Sequence, residues 1–237
     1  MKNHDLQFIL CPSKFSADLH LYEKIYHFWH KTWSTTFQEL ENSSNLSSDS
    51  FSRQDWVAAI FMDGECVAVS TFRYFDLHSS VSLSDSYFAN WSPEALKQLR
   101  SQGRMALACC FFGIAPHLRS GTLGFSMKDL LMGFVTEVFA WSAADCMTGA
   151  VRKCKNVHGS AYSWGAQCVA QDVPSGHGPA LVDLVTFSHG EVAAKKKVHK
   201  LTPWIDLLWS RLIIAEKIER PLVLTTNSQV FELARAS

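Results

Sequence analysis

Residues 104–125 read RMALACCFFGIAPHLRSGTLGF, and the folding of this stretch decides the arrangement of the rest. Arg104 to Ala115 is a nearly continuous apolar run, the pattern of a central strand covered on both faces. Pro116 ends it, since proline supplies no N–H to a ladder. After the glycine-bearing turn, a helix is predicted over Gly124 to Ala140, with Leu130, Leu131, Phe134, Val138 and Trp141 along its apolar side. Strand, turn and helix in that order leave free backbone amides at the helix start, a favourable place for an anion.

Upstream, Leu19, Tyr22, Ile25, Tyr26, Trp29, Trp33, Phe37 and Leu40 recur at helical spacing, predicting a helix over 18–41 with Asp18 as its cap. Residues 42–52 (NSSNLSSDSFS) are too poor in apolar side chains to order cheaply and read as a mobile loop or lid. Trp56 to Met62 and Cys66 to Phe75 are strand-forming runs around Asp63-Gly64, a strong hairpin signal. Pro93 to Gln102 reads as a short helix closed by Gly103. Downstream, Cys146 to Val151, Cys168 to Val173 and Leu181 to Phe187 read as strands, with a short helix over 156–164. A late helix over 201–220 carries Leu201, Trp204, Ile205, Leu208 and Leu212 on one face, where core packing is expected rather than membrane contact. Leu222 to Thr226 reads as a last strand, and the absence of a linker or repeat predicts one domain over 1–237.

The 237 residues are 47% hydrophobic and 19% charged, which excludes a disordered chain. Twenty-two basic and 22 acidic side chains cancel, so no global field favours nucleic acid. Seven cysteines without a paired framework predict a reducing, cytoplasmic setting. The N-terminal apolar run is too short for a signal peptide, and no window reaches the ~18 uncharged residues of a membrane span.

The order of elements, and the stretch from Ile114 through Pro116, Arg119 and Gly121 to Gly124, resemble the GNAT acyltransferase superfamily. Families of that fold carry V-x-P-x-x-R-x-x-G-x-G there. Arg119 and Gly124 match, whereas Thr122 stands at the middle glycine and Gly121 one place early. The resemblance implies an α+β, GNAT-like fold: a central mixed, mostly antiparallel sheet flanked by helices. It implies that Arg119, Ser120, Gly121, Thr122, Leu123 and Gly124 bind an acyl-CoA or acyl-phosphopantetheine donor. Ser52-Arg53-Gln54-Asp55, Arg73, Asp85-Ser86-Tyr87-Phe88 and Arg104 are similar to the autoinducer-synthase and N-acyl amino acid synthase branch. Members of that branch take acyl chains from acyl carrier protein and place them on an amino acid or its derivative.

On this reading Asp55 or Asp85 holds the acceptor's ammonium or takes its proton, with His117 and Glu137 as further bases. Arg53, Arg73 or Arg104 grips its carboxylate. Tyr162, three residues before Gly165 where the family pattern has four, stands near the place of the tyrosine that protonates the departing thiolate. Cys109 and Cys110 alternate onto opposite faces of an apolar strand and read as small core side chains. Cys146, Cys154, His158 and Cys168 match no zinc spacing, so no metal is expected. Lys195, Lys196 and Lys197 form a cationic patch suited to an acidic acyl carrier protein, or simply a solvated connection. The expected activity is N-acyl transfer to a small amine. An acetyl-CoA-dependent N-acetyltransferase and a non-catalytic acyl-thioester-binding module are the alternatives.

Overall fold

Asp63 and Gly64 both take left-handed backbone angles (φ 53° and 81°), as a two-residue I′ turn requires, and so close the hairpin of β2 (Trp56–Met62) and β3 (Glu65–Asp76). The computed structural model describes residues 4–14, 16–41, 46–119, 123–175 and 180–217. β3 pairs antiparallel with β4 (Met105–Ile114), and β4 pairs parallel with β5 (Cys146–Arg152). β6 (Ala166–Pro174), β7 (Leu181–Phe187), β1 (Leu6–Pro12) and β8 (Ile213–Ile214) complete one sheet in the order β6-β7-β5-β4-β3-β2-β1-β8. Only β4–β5 and β1–β8 are parallel pairs, so the sheet is mixed and mostly antiparallel as expected.

One face is covered by α5 (Met127–Trp141), α6 (Val157–Ser163), α7 (His189–Val198) and α8 (Thr202–Trp209), which share a core with inward side chains such as Phe8, Ile60 and Leu107. Phe8 of β1 stacks on Phe134 of α5 with ring centroids 4.1 Å apart. Gly133 lets α5 approach its neighbours, because a Cβ there would stand 2.6 Å from Ile205 and 2.8 Å from Trp164. The other face is split. α1 (Leu19–Glu41) packs over β3 and β4 around Trp29 and Ile25, while Phe75, Phe88, Trp91 and Leu99 form a separate cluster under α4 (Pro93–Arg100). Between these clusters lies the gap that becomes the site. Two single-turn helices, α2 (Asp49–Ser52) and α3 (Ser80–Leu83), precede segments that line it, Arg53–Gln54 and Ser86–Tyr87.

The cap of α1 is as read: the Asp18 carboxylate accepts the Leu21 N–H at 2.9 Å. Five readings need correction. α5 begins at Met127, three residues after Gly124, because Ser126 supplies the cap and Gly124 itself is left-handed at φ 77°. The late helix ends at Trp209, where the β-branched pair Ile213–Ile214 instead joins the open edge of β1. Trp204 is 47% exposed, on the outward side of α8, whereas Ile205 and Leu208 point inward. β1 is a full strand where the sequence shows only a short apolar run, and α7 is a helix where it shows only a charged connection. Ser188 caps α7, and its lysine run hides the periodicity. Part of the Ser-rich loop (42–45) and the strand expected at 222–226 lie outside the described residues, while 49–52 form α2.

Lys196 on α7 lies 2.6 Å from the nearly buried carboxylate of Glu137 on α5 and 2.7 Å from Asp206 on α8. Removing the cation strands a buried carboxylate, and breaking such pairs costs about 3 kcal/mol. Lys196→Ala is therefore expected to lower chemical-denaturation stability by that order, while exposed Lys195→Ala stays within about 0.5 kcal/mol of wild type. Equal losses would show that the pair does not staple the helices. Among the described residues no helix is long and apolar enough to cross a membrane, and all seven cysteines are free.

Candidate functional site

β4 and β5 are paired only from Ala106↔Cys146 to Cys109↔Gly149, although β4 continues to Ile114 and β5 to Arg152. Beyond that point the two parallel strands part. The cause is local to β4. Its register against β3 shifts between Val69 and Thr71, and Phe111 is left-handed at φ 49°. A bulky side chain rarely adopts that conformation, so the surroundings must hold it there. Trp33 of α1 donates its indole N–H to the Phe111 carbonyl at 3.0 Å, and the Phe111 ring sits edge-on against both Trp29 and Trp33. From the β3 side, the hydroxyls of Ser70 and Thr71 donate to the Cys110 carbonyl at 3.2 and 3.3 Å.

The parted strands open a cavity of about 410 Å³. Its walls are mostly apolar and include Phe37 of α1, Phe75 of β3, Trp91, Val173 of β6 and Leu184 of β7, with Met132 of α5 reached through the sheet. Cys109 and Cys110 both border it, although they belong to the cores of opposite faces, as alternation predicted. At its polar end stand Arg53, Gln54 and Arg73. Arg73 pairs with Asp85 at 2.8 Å and lies over the Phe75 ring at 4.8 Å. The same Asp85 carboxylate accepts the Tyr87 N–H at 2.9 Å, which fixes the pair in place.

A smaller cavity of about 140 Å³ adjoins the first and shares Trp33, Phe112, Arg152 and Val157 with it. Its other walls include the cations Arg119, Lys128 and Lys155, with Ser126 at the start of α5. Arg119 donates to the Ile114 carbonyl at 3.0 Å. Lys128 donates to the carbonyls of Lys155 and Asn156, at 3.1 and 2.8 Å, and so ties α5 to the two left-handed residues that precede α6. The arrangement is amphipathic: a cationic notch at a helix N-terminus lies beside an apolar chamber, with four side chains common to both walls.

The structure brings Arg53 and Arg73 together at the chamber, with Asp85 behind them as the ion-pair partner of Arg73, and places Arg119 at the notch. Three expected residues lie elsewhere. Asp55 accepts the Tyr74 N–H at 2.8 Å and lines neither cavity. Arg104 is 65% exposed and binds Asp76 through both Nε and a terminal nitrogen, at the start of β4. Tyr162 donates its hydroxyl to Asp183 at 2.7 Å and also lines neither cavity. Burial, then the bond to Asp183, pushes its phenol far above the usual range. Ser120, Gly121 and Thr122 lie outside the described residues, and Leu123 packs at the edge of the main core. Of the other base candidates, His117 is exposed and Glu137 is occupied by Lys196. Trp33 and Arg152 were not anticipated as site residues. Trp33 was read as one of a row of core side chains, and nothing local marks it as reaching residue 111.

Burial pushes the Cys109 thiol up to about 11, against a smaller pull from the Ser70 hydroxyl. Relative to an ordinary thiol that removes roughly 99% of the thiolate at pH 7. Cys154 is the exposed cysteine. Timed alkylation of native protein, read by mass spectrometry, is expected to label Cys154 first and Cys109 about 100-fold more slowly than a free thiol. Fast Cys109 labelling would reopen a nucleophile role.

No protein-family model and no curated protein matches this sequence. Solved structures do. The chain overlays FeeM, an N-acyl amino acid synthase from uncultured soil microbes, with a TM-score of 0.55 at 10% identity, over 85% of this chain and 96% of that one. The chain has the GNAT fold. BjaI, a CoA-dependent acyl-homoserine lactone synthase solved with SAM and isopentyl-CoA, gives 0.54 at 11% identity, over 91% and 96% of the two chains. The acyl-homoserine lactone synthase LasI gives 0.51 at 13% identity, over 90% and 98%. In this GNAT-fold chain the parted strands, the notch and the chamber lie at the centre of the sheet. Among the described residues no three His, Cys, Asp or Glu side chains are grouped to hold a metal ion.

Proposed function

We propose that this chain is an N-acyltransferase. It moves a medium or long acyl group from a phosphopantetheine thioester to the amine of an amino acid or similar small acceptor. The observation that carries this reading is the adjacent pair of cavities, one cationic at the start of α5 and one mostly apolar of about 410 Å³, with four wall residues in common. The notch suits donor phosphates, through Arg119, Lys128 and Lys155 together with helix N-terminal amides. The chamber suits the acyl chain, and an acetyl group would leave most of it empty. Arg73 and Arg53 offer a carboxylate two guanidinium forks at the chamber's polar end, and Asp85, paired with Arg73 just outside the lining, adds a negative charge near an acceptor's ammonium.

The amine nitrogen attacks the thioester carbonyl, a C–N bond forms as the C–S bond breaks, and the amine's proton ends on the departing thiol. Direct transfer needs no covalent enzyme intermediate, which fits cysteines held protonated. For a carrier-protein donor, Lys195 and Lys197 are the exposed members of the lysine run, while Lys196 is committed to Glu137 and Asp206. Seven free cysteines suit a reducing cytoplasm.

The test is thiol release from acetyl-CoA, long-chain acyl-CoA and long-chain acyl carrier protein, each with a mixture of amino acids. Release with the long-chain donors, lost in Arg119→Ala, is the expected result. Release from acetyl-CoA alone would establish the acetyltransferase alternative. Thermal stabilisation by donors without release would establish a binding module, the reading that the engaged Tyr162 hydroxyl favours.

A further inference from the structure

We infer that Trp33 is a positioning residue, whose indole N–H keeps β4 bulged and so keeps β4 and β5 parted where the two cavities meet and the acyl thioester would lie. The inference rests on the acyl-transfer reading for its kinetic consequence, but its structural half stands on geometry alone. Trp33 is one of four residues that border both cavities, so it lies where the polar arm of a donor gives way to its acyl chain. Its bond to the Phe111 carbonyl, at 3.0 Å, reaches from a helix to a strand 78 residues further along the chain. The residue it grips is the left-handed residue of β4.

The surroundings make this a clasp rather than a passing contact. Trp29 and Trp33 take the Phe111 ring edge-on from α1, at centroid distances of 5.4 and 5.2 Å. Arg152, at the end of β5, places its guanidinium 5.5 Å from the Trp33 ring centre, so one side chain bridges the two strands that part. Gly113 completes the fit, since a Cβ there would lie 3.0 Å from Thr32 and 3.3 Å from the Trp33 indole nitrogen. Without the N–H, the Phe111 carbonyl loses a partner in a half-buried setting, and the left-handed residue loses a bond that favours it. A regular extended Phe111 would restore alternation along β4 and turn the residues beyond Cys110 to the opposite face. Those are the β4 residues that have no β5 partner, where backbone groups are placed to meet a thioester carbonyl. Misplacing a reacting group by about 1 Å can cost on the order of 100-fold in rate.

The test is Trp33→Phe, which keeps an aromatic ring against Phe111 and Arg152 and removes only the donor and part of the indole. Expected are a kcat at least tenfold lower with the long-chain donor, a donor KM within about twofold, and a melting temperature lowered by no more than a few degrees. Carbon-13 shifts of Phe111 in labelled protein are expected to move from left-handed towards extended values. Wild-type kcat, or a Phe111 that stays left-handed in the variant, would overturn the inference. A kcat loss matched by an equal melting-temperature loss in both Trp33→Phe and Trp33→Ala would reduce Trp33 to packing. If wild-type protein releases thiol from no donor, the acyl-transfer reading fails, and the Phe111 shift alone then decides whether Trp33 holds the bulge.

Discussion

Ala150→Trp is expected to abolish turnover of long-chain donors, by at least 100-fold, while leaving short-chain turnover within a few-fold of wild type. Ala150 lies on β5 one residue past the last pair with β4, and its side of the strand is exposed to the chamber. A tryptophan there occupies a large part of a space of about 410 Å³ without displacing backbone, because the position is open. Each methylene excluded from an apolar chamber forfeits about 0.8 kcal/mol of binding, so the loss grows steeply with chain length. The measurement is kcat/KM against a series of acyl-CoA donors of increasing length. A uniform fall across the series would mean that the chamber is not where the chain lies. An unchanged profile would mean the same. Gly149 is the poorer choice for this experiment, since it stands at the point of parting itself and pairs with Cys109.

Arg73→Met is expected to raise the KM for an amino-acid acceptor at least tenfold with little change in donor KM, and also to destabilise the protein. The two effects have different origins. Arg73 and Asp85 are 27% and 18% exposed at 2.8 Å, so removing the cation leaves a largely buried carboxylate without its counter-charge. Asp85→Asn retains the oxygen that accepts the Tyr87 N–H and removes the charge. The double variant Arg73→Met/Asp85→Asn is therefore expected to recover much of the lost stability and none of the acceptor affinity. Recovery of both would assign Arg73 a purely structural part. An acceptor KM unchanged in the single variant would move carboxylate recognition to Arg53, which lines the same end of the chamber.

Much of the framework was legible because its signals are local. Asp63-Gly64 set a hairpin, Pro116 stopped a strand, Pro93 and Gly103 bounded a helix, and the apolar run from Arg104 marked the centre of the sheet. Where a local signal was masked or overruled, the reading slipped. The lysines of α7 concealed a helix, and the open edge of β1 drew Ile213–Ile214 out of a predicted helical run. Side-chain roles were less legible still. Asp55, Arg104 and Tyr162 are the right residue types, but each is taken up by a partner that sequence distance hides: the Tyr74 amide, Asp76 and Asp183. In the other direction, Arg73 and Asp85 were each named singly, and only the fold joins them.

By itself, the sequence determined the long first helix, the hairpin, the central strand and its cationic turn, since each depends on residues within about one turn or one pleat of each other. The tertiary structure alone decided that β4 and β5 part after Cys109 and Gly149, that Trp33 of α1 grips Phe111, and that the opening leads to a chamber walled by five strands and three helices' worth of distant side chains. A cavity is a place that packing leaves unfilled, and its shape depends on long-range register and on a single left-handed residue, neither of which leaves a period in the sequence.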